Sequence, residues 1–75
     1  MTYLEVAYRY RSLPTDRTMR AVDAIREVYG IQQIRFNDKE RVVSVLFDGS
    51  RLSQELVASL LRRAGVAVDE RLALA

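Results

Sequence analysis

Cysteine and histidine are both absent from this 75-residue chain. This removes the thiolate and imidazole ligands of copper, zinc and iron sites, the Cys and Ser-His nucleophile systems, and any disulfide. Only carboxylates, tyrosines, arginines and one lysine, Lys39, remain for chemistry. Long apolar runs are missing as well: no stretch approaches the roughly 18 residues a bilayer span needs, so membrane insertion is not expected. The N-terminus, MTYLEVAYRYR, lacks the basic-then-apolar pattern of a secretion signal, which makes the cytoplasm the expected location. Charge of one sign is scarce. Twelve basic and ten acidic residues, a net +2, are spread along the chain without a basic tract, which argues against nucleic acid as the partner. Eleven of the twelve bases are arginine, a bias that a GC-rich genome produces as readily as a need for forked donors.

What is present suits one small domain over residues 1–75. Hydrophobic residues make up 49% and charged residues 29%, ordinary values for a globular chain with room for one modest core. The stretch Gly30 to Asp48 organises it. Two runs rich in Ile, Val and Phe flank the polar tetrad Asn37-Asp38-Lys39-Glu40, the pattern of a β-hairpin. Ile34, Phe36, Val43, Val45 and Phe47 share one face, leaving Gln33, Arg35, Val42, Ser44 and Leu46 on the other.

Upstream, Thr2 to Arg11 alternates as a half-buried strand, with Leu4, Val6, Tyr8 and Tyr10 inward. A loop around Pro14, the only proline, leads into a helix whose cap is Ser12, Thr15 or Asp16. Met19, Val22, Ile25, Val28 and Tyr29 recur at three- and four-residue steps, which predicts an amphipathic helix from about Asp16 to Tyr29, stopped by Gly30. Downstream, a second helix is expected from Ser53, with Leu52 packing on Val57 as a staple. Its buried face would be Leu56, Val57, Leu60, Leu61 and Ala64, with Arg62 and Arg63 in the last turn and Gly65 as terminator. Val66 and Val68 then open a last strand, which Glu70 to Ala75 either lengthens through Leu72 and Leu74 or leaves frayed. The order strand, helix, strand, strand, helix, strand is a split βαβ pair. It predicts an α+β, ferredoxin-like βαββαβ fold: a four-stranded antiparallel sheet with two helices on one face.

Over Leu4 to Val68 the chain resembles the heavy-metal-associated domains of copper chaperones and of the N-terminal regions of metal-transporting P-type ATPases. The resemblance is carried by Leu4-x-Val6, Gly30-Ile31-x-x-Ile34, Val43-x-Val45-x-Phe47-Asp48 and Ala64-Gly65-Val66-x-Val68. All of these are scaffold positions. That family places a Met-x-Cys-x-x-Cys motif between the first strand and first helix; the corresponding stretch here, Ser12 to Thr18, has no thiol. The resemblance thus implies a family member without the soft Cu(I) ligands, a degenerate metal-handling module that keeps a docking surface for a metal transporter or a homologous domain.

Other chemistries find little support. Asp38 and Glu40, Asp69 and Glu70, and Asp16 do not form a group of three with calcium-loop spacing; Asp16 reads as a helix cap and Asp38 as a turn residue bonding its local backbone. Tyr8, Tyr10 and Tyr29 read as core residues with a wet hydroxyl, and no paired-carboxylate or phosphate-loop motif is present. No enzyme activity and no cofactor are expected. The runner-up is nucleic-acid or anion binding through Arg9, Arg11, Arg17, Arg20 and Arg35. Parity leaves only Tyr3 as a stacking aromatic outside, and sets Glu5 and Asp69 among the arginines on the open face. The favoured candidate is a partner-binding loop of Arg11, Ser12, Pro14, Thr15, Asp16, Arg17 and Arg20, where cations near a helix start oppose its dipole and so welcome an acidic partner. Ile31 to Asn37 and Val66 onward, as edge strands, offer a route to a homodimer.

Overall fold

A computed structural model describes residues 2–74. Its elements are β1 (Tyr3–Tyr10), α1 (Asp16–Ile25), β2 (Ile31–Asn37), β3 (Val42–Asp48), α2 (Gln54–Ala64) and β4 (Val68–Leu74). The strands form one sheet in the order β2-β3-β1-β4, every neighbouring pair antiparallel. This is the expected ferredoxin-like arrangement. Alternation along β1 and the hairpin aligns Leu4 with Phe47, Val6 with Val45 and Tyr8 with Val43, and Ile34 with Val45 on the far side. The helices cover that face, and Val6, Val22, Val43, Val45, Phe47 and Leu61 are fully buried. The final strand is lengthened, with backbone pairing as far as Leu74; Ala75 lies outside the described residues.

Both helix starts follow from their caps. Thr15, of the three candidates, caps α1, its hydroxyl oxygen accepting from the Thr18 amide, and Ser53 does the same for Leu56 in α2. Gly65 ends α2 in the left-handed region at φ 101°, where a side chain would be strained.

Four expectations are corrected. First, α1 stops at Ile25, not Tyr29. Beyond it, the amides of Glu27 and Val28 donate to the carbonyls of Ala24 and Ile25, a tightening to three-residue steps that ends the α-helical period. Tyr29 therefore leaves the apolar stripe and is 73% exposed, with the Arg51 guanidinium 4.3 Å above its ring. Second, in α2 Val57 and Leu61 are buried and Leu60 and Ala64 pack against the core as expected, but Ala58 is buried too and Leu56 is 41% exposed. The Tyr8 hydroxyl donates to the Gln54 carbonyl at 3.0 Å, which ties the start of α2 over β1, and Ala58 shares a groove with Tyr8. Third, Asp38 makes no local backbone bond of its own. Asn37 Oδ1 accepts from the Glu40 amide at 3.1 Å, Arg41 takes the left-handed conformation at φ 57°, and Asp38 accepts the Tyr10 hydroxyl at 2.5 Å. Fourth, the β1–β4 register skips Asp69 and Leu72, so the acid that β4 pairs onto the open face, opposite Arg9, is Glu70, while the expected Asp69 falls in a bulge.

Candidate functional site

The loop between β1 and α1 is held at both ends by hydrogen bonds. The Arg11 amide donates to Ala67 O at 3.0 Å, and Arg41 Nη1 donates to Arg11 O at 2.8 Å. The strand end is thereby tied to both the β4 side and the hairpin turn. On the helix side, the Thr15 hydroxyl accepts the Thr18 amide and donates to Thr18 Oγ1, both at 3.1 Å. Thr18 itself is buried and faces Gly65: a Cβ built on that glycine would lie 2.9 Å from Thr18 Oγ1. The first turn of α1 thus docks on the junction of α2 and β4, and the loop is anchored at Arg11 and at Thr15.

On this frame, Arg11, Ser12, Thr15, Asp16, Arg17 and Arg20 are exposed and Pro14 is half-buried. Thr15 is spent on the cap, and Asp16 in the first turn complements the helix dipole. The side chains of Arg11, Arg17 and Arg20 enter no ion pair with a described residue. Leu13 joins them at 52% exposure; sequence reasoning passed over it, and the available signal was an apolar residue beside proline in a segment with no period. Topology adds cations at this same end of the domain: Lys39 and Arg41 from the hairpin turn, and Arg63 from the last turn of α2. No group of three or more metal-ligating side chains exists among the described residues.

The runner-up's arginines are divided by the fold. Arg9 pairs with Glu70 at 3.6 Å and Arg35 with Glu5 at 3.3 Å, all four on the exposed sheet face. That face is a mixed, cross-paired surface, whereas Arg11, Arg17 and Arg20 belong to the loop end.

At the opposite end a second concavity was not anticipated. Tyr3, Arg26, Tyr29, Gly30, Asp48 and Arg51 help line a cleft of about 370 Å³. Asp48 is 4% exposed, its Oδ1 accepting the Ser50 hydroxyl at 2.6 Å and the Ser50 amide at 3.0 Å. Those two bonds, with Arg51 at 3.6 Å, hold its carboxyl below the usual carboxylate range. Asp48-Gly49-Ser50 reads as a turn in sequence, and an aspartate bonding two residues ahead is that turn's chemistry.

A four-stranded antiparallel sheet carrying two helices on one face, in βαββαβ order, defines the class: a ferredoxin-like domain. Among solved structures the chain is similar to oxidised MerP from Ralstonia metallidurans CH34, with a TM-score of 0.72 and 17% identity over 91% of this chain and 96% of that one. At that identity the likeness is one of fold, and it is the fold implied by the heavy-metal-associated resemblance. No protein-family model matches the chain, and no curated protein matches it. Among the described residues, no helix is long and apolar enough to cross a membrane.

Proposed function

We propose that this chain is a non-enzymatic protein-interaction module on a heavy-metal-associated type of scaffold, working in the cytoplasm and having lost the thiol site of that family. Its docking surface is the loop and first helical turns formed by Arg11, Ser12, Pro14, Thr15, Asp16, Arg17 and Arg20, with Leu13 as the apolar contact. The observation that carries this reading is the exposed Leu13 set among arginines that form no ion pair with a described residue, on a loop anchored at Arg11 and Thr15. Apolar anchors ringed by charge are a common anatomy of interfaces. The complementary partner surface is acidic, as on a metal transporter's cytoplasmic domain or a homologous domain.

Charge reversal tests it directly. A chain carrying Arg17→Glu and Arg20→Glu, changes at exposed positions expected to leave the fold intact, is expected to lose capture of the partner that wild type retains. Equal capture by both proteins places the interface elsewhere. The lost thiol site is tested by titration with Cu(I) and Zn(II) against a competing chelator. The expected result is no stoichiometric tight binding; one equivalent held against the chelator overturns that part of the reading.

A further inference from the structure

The groove between α2 and β4 contains a charged residue that strict strand alternation would have placed on the other side of the sheet. Counting from Val68, buried opposite Tyr10, simple parity sends Arg71 to the open face. The observed register is Tyr10 with Val68, Arg9 with Glu70, Tyr8 with Arg71 and Ala7 with Ala73. The extra residue Asp69 is a bulge that turns Arg71 to the helix-covered side beside Tyr8, and a second bulge at Leu72 follows it. A bulge gives up ladder pairing and bends the strand, and a recurrent use is to re-aim one side chain. Here the re-aimed side chain is a cation.

Arg71 meets a groove of about 300 Å³ lined also by Tyr8, Gln54, Glu55, Ala58 and Arg62. Its Nη1 donates to Gln54 Oε1 at 2.6 Å, which fixes the guanidinium while leaving the rest of its donor fork unused by described residues. Arg62 lies one turn beyond Ala58 on the same strip of α2, and helical side chains lean toward the N-terminus, so its head group extends back over Ala58. Both guanidinium groups act on the Tyr8 hydroxyl, whose burial raises its pKa against their pull. Neither arginine forms an ion pair with a described residue. Glu55, the one acid in the groove, is met by the Gln54 amide at 3.5 Å.

From this convergence we propose that the α2–β4 groove binds a small organic carboxylate. Its oxygens are held by the donor forks of Arg62 and Arg71, and its aliphatic body lies against Ala58 and the Tyr8 ring. Guanidinium forks match a carboxylate in two-point geometry, and the apolar floor selects an organic acid over a bare inorganic ion. The site is separate from the loop of Arg17 and Arg20.

Sodium butyrate, titrated into the full ¹⁵N-labelled chain and followed by amide shifts, tests this. Saturable shifts are expected at Tyr8, Gln54, Ala58 and Arg71, with none from butyramide and binding of inorganic phosphate at least about fivefold weaker. Arg62→Gln and Arg71→Gln should each weaken butyrate about tenfold, the loss of one charge-assisted contact. Arg62→Gln remains decisive even if Arg71→Gln disturbs β4. Shifts that do not saturate, an equal response to butyramide, phosphate binding as tight as butyrate, or unchanged binding in Arg62→Gln would each overturn the proposal. Arg17→Glu with Arg20→Glu should bind butyrate as wild type does, so failure of the docking reading and failure of this one are separable.

Discussion

Asp48 and Tyr10 show how single residues link this fold to pH. Asp48 is buried and accepts two bonds from Ser50, which lower its folded-state pKa. A lowered carboxylate contributes stability above its unfolded pKa of about 4 and loses it as pH falls through the lower folded value. Asp48→Asn should therefore shrink the stability lost as pH falls below about 4 in urea titrations. An unchanged loss would mean the carboxylate does not carry the acid limb. Tyr10 behaves in the opposite sense. Burial and the Asp38 carboxylate that accepts its proton raise its pKa, so its contribution is complete below about pH 10 and is lost as the solution becomes more alkaline. Tyr10→Phe removes the bond to Asp38 and should lower stability by about 1 kcal/mol at neutral pH, with a flatter alkaline limb. The tyrosine's inward position was legible from alternation along β1. Its bond to Asp38 was not, because the two lie 28 residues apart and only the pairing of β1 with β3 brings the hairpin turn to the strand end.

At the scale of elements, the junction of α1 with the α2–β4 turn can be tested by coupling. Gly65 sits at φ 101°, and a Cβ there would lie 2.9 Å from Thr18 Oγ1. Gly65→Ala should cost about 1–2 kcal/mol in backbone strain alone, with a further steric cost. Removing the hydroxyl with Thr18→Ala should recover the steric share, so the double variant is less destabilised than the sum of the singles; strict additivity would show that the two residues do not press on each other. The sheet edges bear on self-association. Arg26, paired with Asp23, donates from Nη2 to Ile34 O at 2.9 Å, occupying a carbonyl in the middle of edge strand β2. At the other edge β4 is interrupted twice. Both are devices that discourage strand-to-strand association. Sedimentation equilibrium should find wild type monomeric and Arg26→Ala shifted toward dimer; identical behaviour would remove Arg26 from that role.

For the whole molecule, size sets the margin. A 75-residue domain at the usual per-residue stability has about 4–11 kcal/mol in hand. Leu61 is fully buried between the helices and the sheet, and Leu61→Ala should cost about 3–5 kcal/mol. That is a fall in melting temperature of about 15 °C or more for a domain this small, read by calorimetry. A much smaller fall would mean that neighbouring side chains collapse into the space. By contrast, Arg17→Glu with Arg20→Glu lies wholly on the surface and should leave the melting temperature almost unchanged. The loop end can thus be altered for binding tests without touching the core, which is what makes the docking proposal separable from stability.

The sequence by itself determined the order of the six elements, the inward parity of β1, β2 and β3, the terminal caps at Ser53 and Gly65, and the lack of any thiol or imidazole. These follow from local rules: a period of two or 3.6 residues, a capping hydroxyl, a glycine free to take positive φ, and plain composition. Tertiary structure alone decided how each element is rotated against its neighbours. α2 is rotated so that Ala58 is buried and Leu56 is exposed. Tyr29 left its stripe when the last turn of α1 tightened toward Gly30. Arg71 crossed to the helix side because β4 bulges against β1. A periodic pattern says which residues share a face; which face is buried, and where the period breaks, depends on the shapes brought up against it from distant parts of the chain.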